Sequence, residues 1–326
     1  MTPAAQLDLL VMGGTRFMGR AVVEAALVRG HRVTVVHRGS HAADFSAPVA
    51  EVLGDRSDPA TLAALAARAD AFDAVVDLSA YSEEQTRALA RTLPGVPRFV
   101  HVSTGAVYAP QPTFPWREDG PEGPAPLWGA YAAEKLACER ALRSLRAGDG
   151  RVTWALRLPY VLGPRNYAPR EEFVLNRLLD GAELLLPGGG AALIQFVHVA
   201  QVGAVAVALA ERPAAPGFVP LNVATRELVS LAGFVELCAS VAGVAARTRA
   251  VGGGPTGDGS AVFDAANCVF PFPNDSYVLD LARLESLGLT VPELSVRAMI
   301  ADAHAALLAD PARRVWSRTS AEEGVS

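Results

Sequence analysis

Hydrophobic and polar positions repeat along the first half of this chain with two alternating periods. Short apolar runs of strand length fall at residues 7–12, 32–36, 49–53, 74–78, 99–103 and 152–158. Between most of them, apolar residues recur every three to four positions, which is the helical spacing. Ala21, Val22, Ala25, Ala26 and Leu27 form the first such face, a second covers residues 58–67, a third follows Ser82, and a fourth covers residues 131–145. Ser82 is a residue type that caps helices, and Glu83 and Glu84 behind it suit the positive end of a helix dipole. Strand and helix alternate without a hairpin signal, so the strands are expected to lie parallel in one doubly wound α/β sheet.

The pattern loosens after Pro159. Clusters of proline and glycine at residues 187–190, 213–220 and 252–259 cut the second half into shorter elements, which suits a smaller C-terminal lobe. Residues 317–326, rich in Ser, Thr, Glu and Gly, read as a frayed tail. The longest apolar run, residues 202–210, is too short for a bilayer, and no basic segment followed by an apolar stretch opens the chain. With 326 residues, 51% of them hydrophobic and 19% charged, the chain can bury a large core and is not of disordered composition. A net charge of −5 argues against a protein that holds nucleic acid on a broad basic surface. Cys138, Cys238 and Cys268 are far apart, odd in number and in no metal-ligand spacing. They read as core thiols of a soluble cytoplasmic protein without a metal.

Against this frame the segment at residues 11–19, Val-Met-Gly-Gly-Thr-Arg-Phe-Met-Gly, joins the first strand to the first helix. A glycine turn in that position opens a dinucleotide-binding unit. Gly13 supplies the tight turn, Gly14 leaves room for a pyrophosphate against the backbone, and Gly19 lets the helix pack close to the strands. Thr15, Arg16, Phe17 and Met18 complete the turn, and the helix start offers unpaired N–H groups to phosphate. Residues 1–165 are therefore expected to form a Rossmann-like dinucleotide-binding domain. Residues 166–316 form the substrate lobe, partly interleaved with it.

A second constellation is Tyr131-Ala132-Ala133-Glu134-Lys135, with Ser103 and Thr104 upstream at a strand end. Residues four apart share a helix face, so the Tyr131 phenol and the Lys135 ammonium point the same way. A cation near a phenol lowers its pKa and suits it to exchange a proton with a substrate hydroxyl or carbonyl. Thr104 or Ser103 is placed to hydrogen-bond the same oxygen.

In these motifs the chain resembles the extended or atypical short-chain dehydrogenase/reductase superfamily, the group of nucleotide-sugar epimerases and dehydratases. The resemblance covers nearly the whole chain. It rests on the glycine turn, Gly54-Asp55, Ser103-Thr104-Gly105-Ala106-Val107-Tyr108, Tyr131 to Lys135 with Leu136 and Glu139, Arg157-Leu158-Pro159, and Gln195-Phe196-Val197-His198. It implies that Thr104, Tyr131 and Lys135 are catalytic, that Asp55 faces the adenine, that Leu78, Ser79 and Ala80 line the cofactor crevice, and that Pro159 lies near the nicotinamide. The acidic pair that follows the catalytic Thr in sugar dehydratases is replaced here by Gly105 and Ala106, which argues against dehydration. Gly-Gly-Thr-Arg-Phe at residues 13–17 and the run at residues 163–173 are similar to a narrower branch that holds the chloroplast stem-loop-binding proteins. That branch keeps open an RNA-associated protein that uses the fold as a platform, and a redox sensor that binds dinucleotide without turnover is a separate alternative. Tyr131, Lys135 and the acidic balance favour an enzyme.

Charge bears on the cofactor. NAD sites offer a carboxylate near the end of the second strand, whereas this chain has His37-Arg38-Gly39 and no acid until Asp44. Arg38 and Arg16 are placed to pinch a 2′-phosphate, so NADP is favoured, with NAD as the alternative. In the lobe, Ile194 stands where the nucleotide-sugar pattern has a diphosphate-binding arginine, and an apolar side chain cannot neutralise a diphosphate. Arg165 and Arg170 are equally readable as its replacements or as surface charges, and His198 as a packing residue. The sequence thus reads as an NAD(P)-dependent oxidoreductase or epimerase acting at a carbinol or carbonyl carbon. Its partner is a small molecule, with a sugar derivative and a homodimer both compatible.

Overall fold

The computed structural model describes residues 5–41, 44–123, 126–148, 150–168, 170–213, 215–252, 268–289 and 293–323. The first half follows the predicted alternation: β1 (Asp8–Met12), α1 (Phe17–Val28), β2 (Arg32–His37), β3 (Ala50–Leu53), α2 (Pro59–Ala66), β4 (Ala74–Asp77), α3 (Glu83–Thr92), β5 (Arg98–Thr104), α4 (Gly129–Leu145) and β6 (Val152–Leu158). Asp58 caps α2 and Ser82 caps α3 through side-chain oxygens that accept from Ala60 and Gln85 N–H. The second half adds β7 (Tyr160–Leu162), α5 (Arg170–Leu179), β8 (Glu183–Pro187), β9 (Leu193–Ile194), β10 (Phe196–His198), α6 (Val199–Glu211), β11 (Gly217–Asn222), β12 (Val229–Ser230), α7 (Leu231–Ala242), β13 (Arg247–Val251), α8 (Ala282–Ser286), α9 (Val296–Ala309) and α10 (Ser320–Glu323).

Seven strands pair in the order β11-β6-β5-β4-β1-β2-β3, all parallel. The order reverses direction between β1 and β4, and the carboxyl ends of strands at such a switch point open a crevice where ligands bind. The glycine turn after β1 and Thr104 at the end of β5 both face that crevice.

Two elements of the second half belong to this sheet domain. β11 was read as part of a proline-broken stretch, yet Pro220 sits in it opposite Ala155. The strand pairs on one side only, where a missing N–H is tolerated. Helix α6 carries the apolar run 202–210 and packs on α1, burying Val202, Val205, Ala206 and Leu209 with Val22, Val23 and Ala26. The two backbones approach so closely that a Cβ on Gly203 would overlap the Ala21 carbonyl. No described helix is long and apolar enough to cross a membrane.

The lobe has a separate aromatic core in which Phe196, Phe234, Phe270 and Phe272 pack with Tyr160 and with Val296, Met299 and Ile300 of α9. The described part of residues 317–326 does not fray. Glu322 forms a buried pair with Arg177 of α5 at 2.9 and 3.0 Å, and Thr319 Oγ1 donates to the Cys268 carbonyl. A buried charge opposite Arg177 holds what composition alone suggests is loose. All three cysteines are buried and unbridged, and among the described residues no group of three His, Cys, Asp or Glu side chains could hold a metal. The expected break at 252–259 lies, from residue 253 on, outside the described residues.

Candidate active site

Two adjoining cavities open at the carboxyl ends of the strands. The outer cleft, about 370 Å³, is lined by Gly13, Thr15, Arg16, Met18 and Gly19 of the turn, His37 and Arg38 after β2, Asp55 and Arg56 after β3, and Leu78 and Ser79 after β4. The inner cavity, about 130 Å³, is lined by Phe17, Met18, Ser103, Thr104, Trp128, Tyr131, Pro159, Tyr160, Asn166, Tyr167, Arg170 and Tyr277. Met18 and Tyr167 line both and stand between them.

The turn fits a dinucleotide pyrophosphate. Gly13 has φ +86°, a backbone conformation that favours glycine, and a Cβ there would press on Ser79 at 2.9 Å. A Cβ on Gly19 would overlap the Gly13 carbonyl, so only glycine lets α1 begin this close to β1. Arg16, at the N-cap of α1, makes no side-chain capping bond and the first turn carries no acid, whereas α2, α3, α6, α7 and α9 are all capped by a side chain. The N–H groups of this helix start therefore face the cleft without a protein anion against them. Phe17, its first residue, holds φ +39°, a strained value for a bulky side chain, and its buried ring meets Tyr167 edge-on at 5.8 Å. Gly14 has a different role from the one expected. Its missing side chain faces Val11, Val23 and Val35, so it relieves the core and leaves the cleft wall to its neighbours.

At the adenosine end, Arg38 is 73% exposed with Nη1 4.0 Å from Asp55 Oδ2. Arg16 Nη1 lies 3.2 Å from His41 Nε2, and its guanidinium covers the Tyr167 ring at 5.5 Å. His37 Nδ1 accepts from the Gly39 N–H, and Asp55 Oδ1 from the Ser57 N–H. Arg56 went unmentioned in the sequence reading. It is buried, binds Asp77 through both terminal nitrogens at 2.6 and 2.9 Å, and donates to Ser79 Oγ at 2.8 Å, which fixes the loop after β4.

In the inner cavity the Tyr131 phenol and the Thr104 hydroxyl line the same space, and Thr104 Oγ1 accepts from the Ala106 N–H. The choice between Ser103 and Thr104 is decided by what lies behind them. Ser103 Oγ donates to Glu139 Oε1 at 2.5 Å, and Glu139 is pinned by Arg157 at 2.6 Å, with both charges fully buried. Ser103 is thereby committed to a structural network, and Thr104 is the hydroxyl left facing Tyr131.

Lys135 departs from its expected place. Its buried ammonium donates to the carbonyls of Ala80 at 3.1 Å and Val102 at 2.6 Å, and burial lowers its pKa. Ala80 is itself fully buried, so its contribution is this carbonyl and not a crevice wall. Burial pushes the Tyr131 phenol up to about 12, against the fall expected from Lys135; the Thr104 hydroxyl and the Arg170 charge oppose that rise. The long lysine side chain ends on two backbone carbonyls, and the cation that opposes the rise at Tyr131 is Arg170. In the lobe, Ile194 is wholly buried in the aromatic core, Gln195 bonds Thr225 and Leu279, and His198 caps α6. Arg170, readable from the sequence as a replacement for the missing arginine or as a surface charge, lines the inner cavity, as do Tyr160, Tyr167 and Tyr277, which were not singled out for a role there.

The chain is 26% identical over 257 residues to the chloroplast stem-loop binding protein of 41 kDa b from Arabidopsis thaliana, covering 74% of this chain and 65% of that protein. It is 32% identical over 209 residues to 2′-dehydrokanamycin reductase from Streptomyces kanamyceticus, covering 63% and 57%. The match thus spans less than two thirds of either relative's length. Among solved structures, UDP-N-acetylglucosamine 4-epimerase from Methanobrevibacter ruminantium M1, in complex with UDP-N-acetylmuramic acid, superposes with a TM-score of 0.75 at 19% identity, over 93% of this chain and 99% of that one. MoeE5, in complex with UDP-glucuronic acid and NAD, gives 0.73 at 23% identity with the same coverage. At such identities these two establish the shared fold. The model of the NAD dependent epimerase/dehydratase family matches residues 9–224, and the chain belongs to that family.

Proposed function

We propose that this protein is an NADP-preferring oxidoreductase of the extended short-chain type, acting on a small carbonyl or carbinol substrate. The observation that carries the reading is the Tyr131–Thr104 hydroxyl pair in a cavity that adjoins a glycine-turn cleft at the sheet's switch point. Gly13, Thr15 and the open start of α1 would hold the pyrophosphate, Arg16 and Arg38 the 2′-phosphate, and Asp55 the adenine. When bound, the reduced nicotinamide supplies hydride to a carbonyl carbon. Tyr131 gives its proton to the carbonyl oxygen, and Thr104 orients that oxygen. A phenol pushed up to about 12 stays protonated at neutral pH, the form required of an acid in reduction. Lys135 ties Ala80, in the loop after β4, to Val102 of β5 and so fixes that loop against the sheet beside the site. Epimerisation uses the same groups, with the oxidised intermediate reduced again before release.

Ile194, wholly buried in the lobe core, offers no charge to a diphosphate. The substrate is therefore smaller than a nucleotide sugar, and UDP- and dTDP-sugars are expected to give no saturation-transfer NMR signal of micromolar affinity. The test of the chemistry is Tyr131→Phe, assayed for NADPH-dependent reduction of a panel of small ketones and aldehydes. Turnover should fall by a factor of about 10² or more with dinucleotide affinity unchanged. Equal rates in the variant and the parent would make Tyr131 a packing residue and end the enzymatic reading.

A further inference from the structure

We infer that Tyr167 is a specificity residue for the phosphate end of the cofactor: its ring and a 2′-phosphate compete for the Arg16 guanidinium. A ligand carrying that phosphate frees the ring from the seam between the two cavities, and a ligand without it leaves the ring in place. The inference rests on the proposed role of Arg16 in holding a 2′-phosphate. It goes beyond that role by coupling the adenosine end of the cleft to the wall of the inner cavity.

Tyr167 comes from the lobe and lines both cavities. Its backbone is anchored, so the ring is the part that can move. The preceding residue, Asn166, is buried, donates from Nδ2 to the Val161 carbonyl at 3.2 Å and to Glu171 Oε2 at 3.1 Å, and accepts at its own carbonyl from Arg313 at 2.7 Å. The following Ala168 N–H donates to Asn166 Oδ1 at 2.9 Å. Tyr167 itself is 48% exposed. Its ring meets two members of the glycine turn: Phe17, edge-on at 5.8 Å, and Arg16, whose guanidinium carbon lies 5.5 Å from the ring centre.

Arg16 is exposed and shared between the two sides of the cleft. Its guanidinium covers the lobe ring, while its Nη1 lies 3.2 Å from His41 Nε2, in the segment after β2 that also carries Arg38. The attraction of a cation to an aromatic face is electrostatic and depends on the charge of the cation. A phosphate bound by the same guanidinium takes up its N–H groups and neutralises that charge, so the hold on the ring weakens when the phosphate arrives. By linkage, the ring weakens phosphate binding to the same extent. At exposed sites such a contact changes an equilibrium constant about two- to fivefold.

The test is calorimetric titration of adenosine 2′,5′-bisphosphate and 5′-AMP, which differ by the 2′-phosphate alone and carry no nicotinamide. Tyr167→Leu keeps an apolar side chain and removes the aromatic face. It should tighten the bisphosphate about two- to fivefold and shift 5′-AMP by less than about twofold. Tyr167→Phe, which keeps the face, should bind both ligands as the parent does. In an Arg16→Ala protein, Tyr167→Leu should alter neither affinity. A ¹⁹F spectrum of the protein labelled with 3-fluorotyrosine, its Tyr167 line identified by loss in Tyr167→Phe, should show that line moved by the bisphosphate and not by 5′-AMP. The inference is overturned by equal bisphosphate affinity in the parent and Tyr167→Leu, by a Tyr167→Phe protein that tightens as the leucine variant does, or by a line that both ligands move alike. A parent that still prefers the bisphosphate then keeps the functional reading intact. A parent that binds the bisphosphate no better than 5′-AMP overturns both the inference and the NADP preference.

Discussion

Removal of the Arg38 guanidinium tests whether this cleft reads a 2′-phosphate. Arg38 is 73% exposed, and its one acidic neighbour, Asp55, is 4.0 Å away. An ion pair that open contributes at most about 1 kcal/mol, so Arg38→Ala should leave the fold's stability nearly unchanged. A phosphate gripped by the same guanidinium makes charge-assisted hydrogen bonds of about 1.5–3 kcal/mol, from which about 0.5 kcal/mol is subtracted for giving up Asp55. The net loss of about 1–2.5 kcal/mol corresponds to NADP⁺ binding weakened roughly five- to seventyfold. NAD⁺ lacks the phosphate and should shift by less than about twofold. Arg16→Ala should cost less, because Arg16 already covers the Tyr167 ring and neighbours His41, contacts it must partly surrender to bind phosphate. The measurement is calorimetry with both dinucleotides at one fixed ionic strength, since salt screens exposed charges. A parent protein that prefers NAD⁺, or an NADP⁺/NAD⁺ ratio unmoved in both variants, would refute the argument from these arginines.

Two further expectations concern the framework under the site. His101 is wholly buried on β5 beside Asp77, Lys135 and Arg56, and burial with the two cations brings its pKa from 6.5 to about 3. The unfolded chain therefore takes up a proton that the folded chain refuses, and stability present above pH 6.5 should fall by up to about 1.4 kcal/mol per unit as pH drops toward 3. Buried Glu171, raised to about 7, acts in the opposite sense, its contribution present at low pH and lost as pH rises through that value. Thermal melts of the parent and His101→Leu between pH 4 and pH 7 isolate the histidine, and parallel Tm curves for the two would contradict its role. Lys135→Met keeps the stem and removes the donor to Ala80 and Val102. Two buried carbonyls without that donor should cost about 2–4 kcal/mol, read as a Tm several degrees lower, and an unchanged Tm would show that the ammonium does not hold the loop after β4 to β5.

Much of this protein was legible in one dimension because the signals are local. A glycine at position 13 with φ +86°, a serine cap before α3 and apolar runs of strand length act over a few residues, and each element they predict is present. The Tyr131–Thr104 pair was legible as well, since both sit at ends of elements whose order the periodicity dictates. Pairings set by competition in three dimensions were not. Lys135 was expected to act on the Tyr131 phenol, and its ammonium is taken up by the carbonyls of Ala80 and Val102. Ser103 looked equivalent to Thr104 until Glu139 and Arg157 claimed it. Residues 317–323 looked loose until Arg177 required a buried counter-charge. Position 105 read as a lost acid, whereas Tyr277 from the lobe fills its place. The sequence alone determined which backbone elements form and in what order, because hydrophobic period and capping chemistry are read within a few residues. Only the tertiary structure decided which polar group meets which, because a buried donor or charge takes the nearest acceptor that packing brings to it.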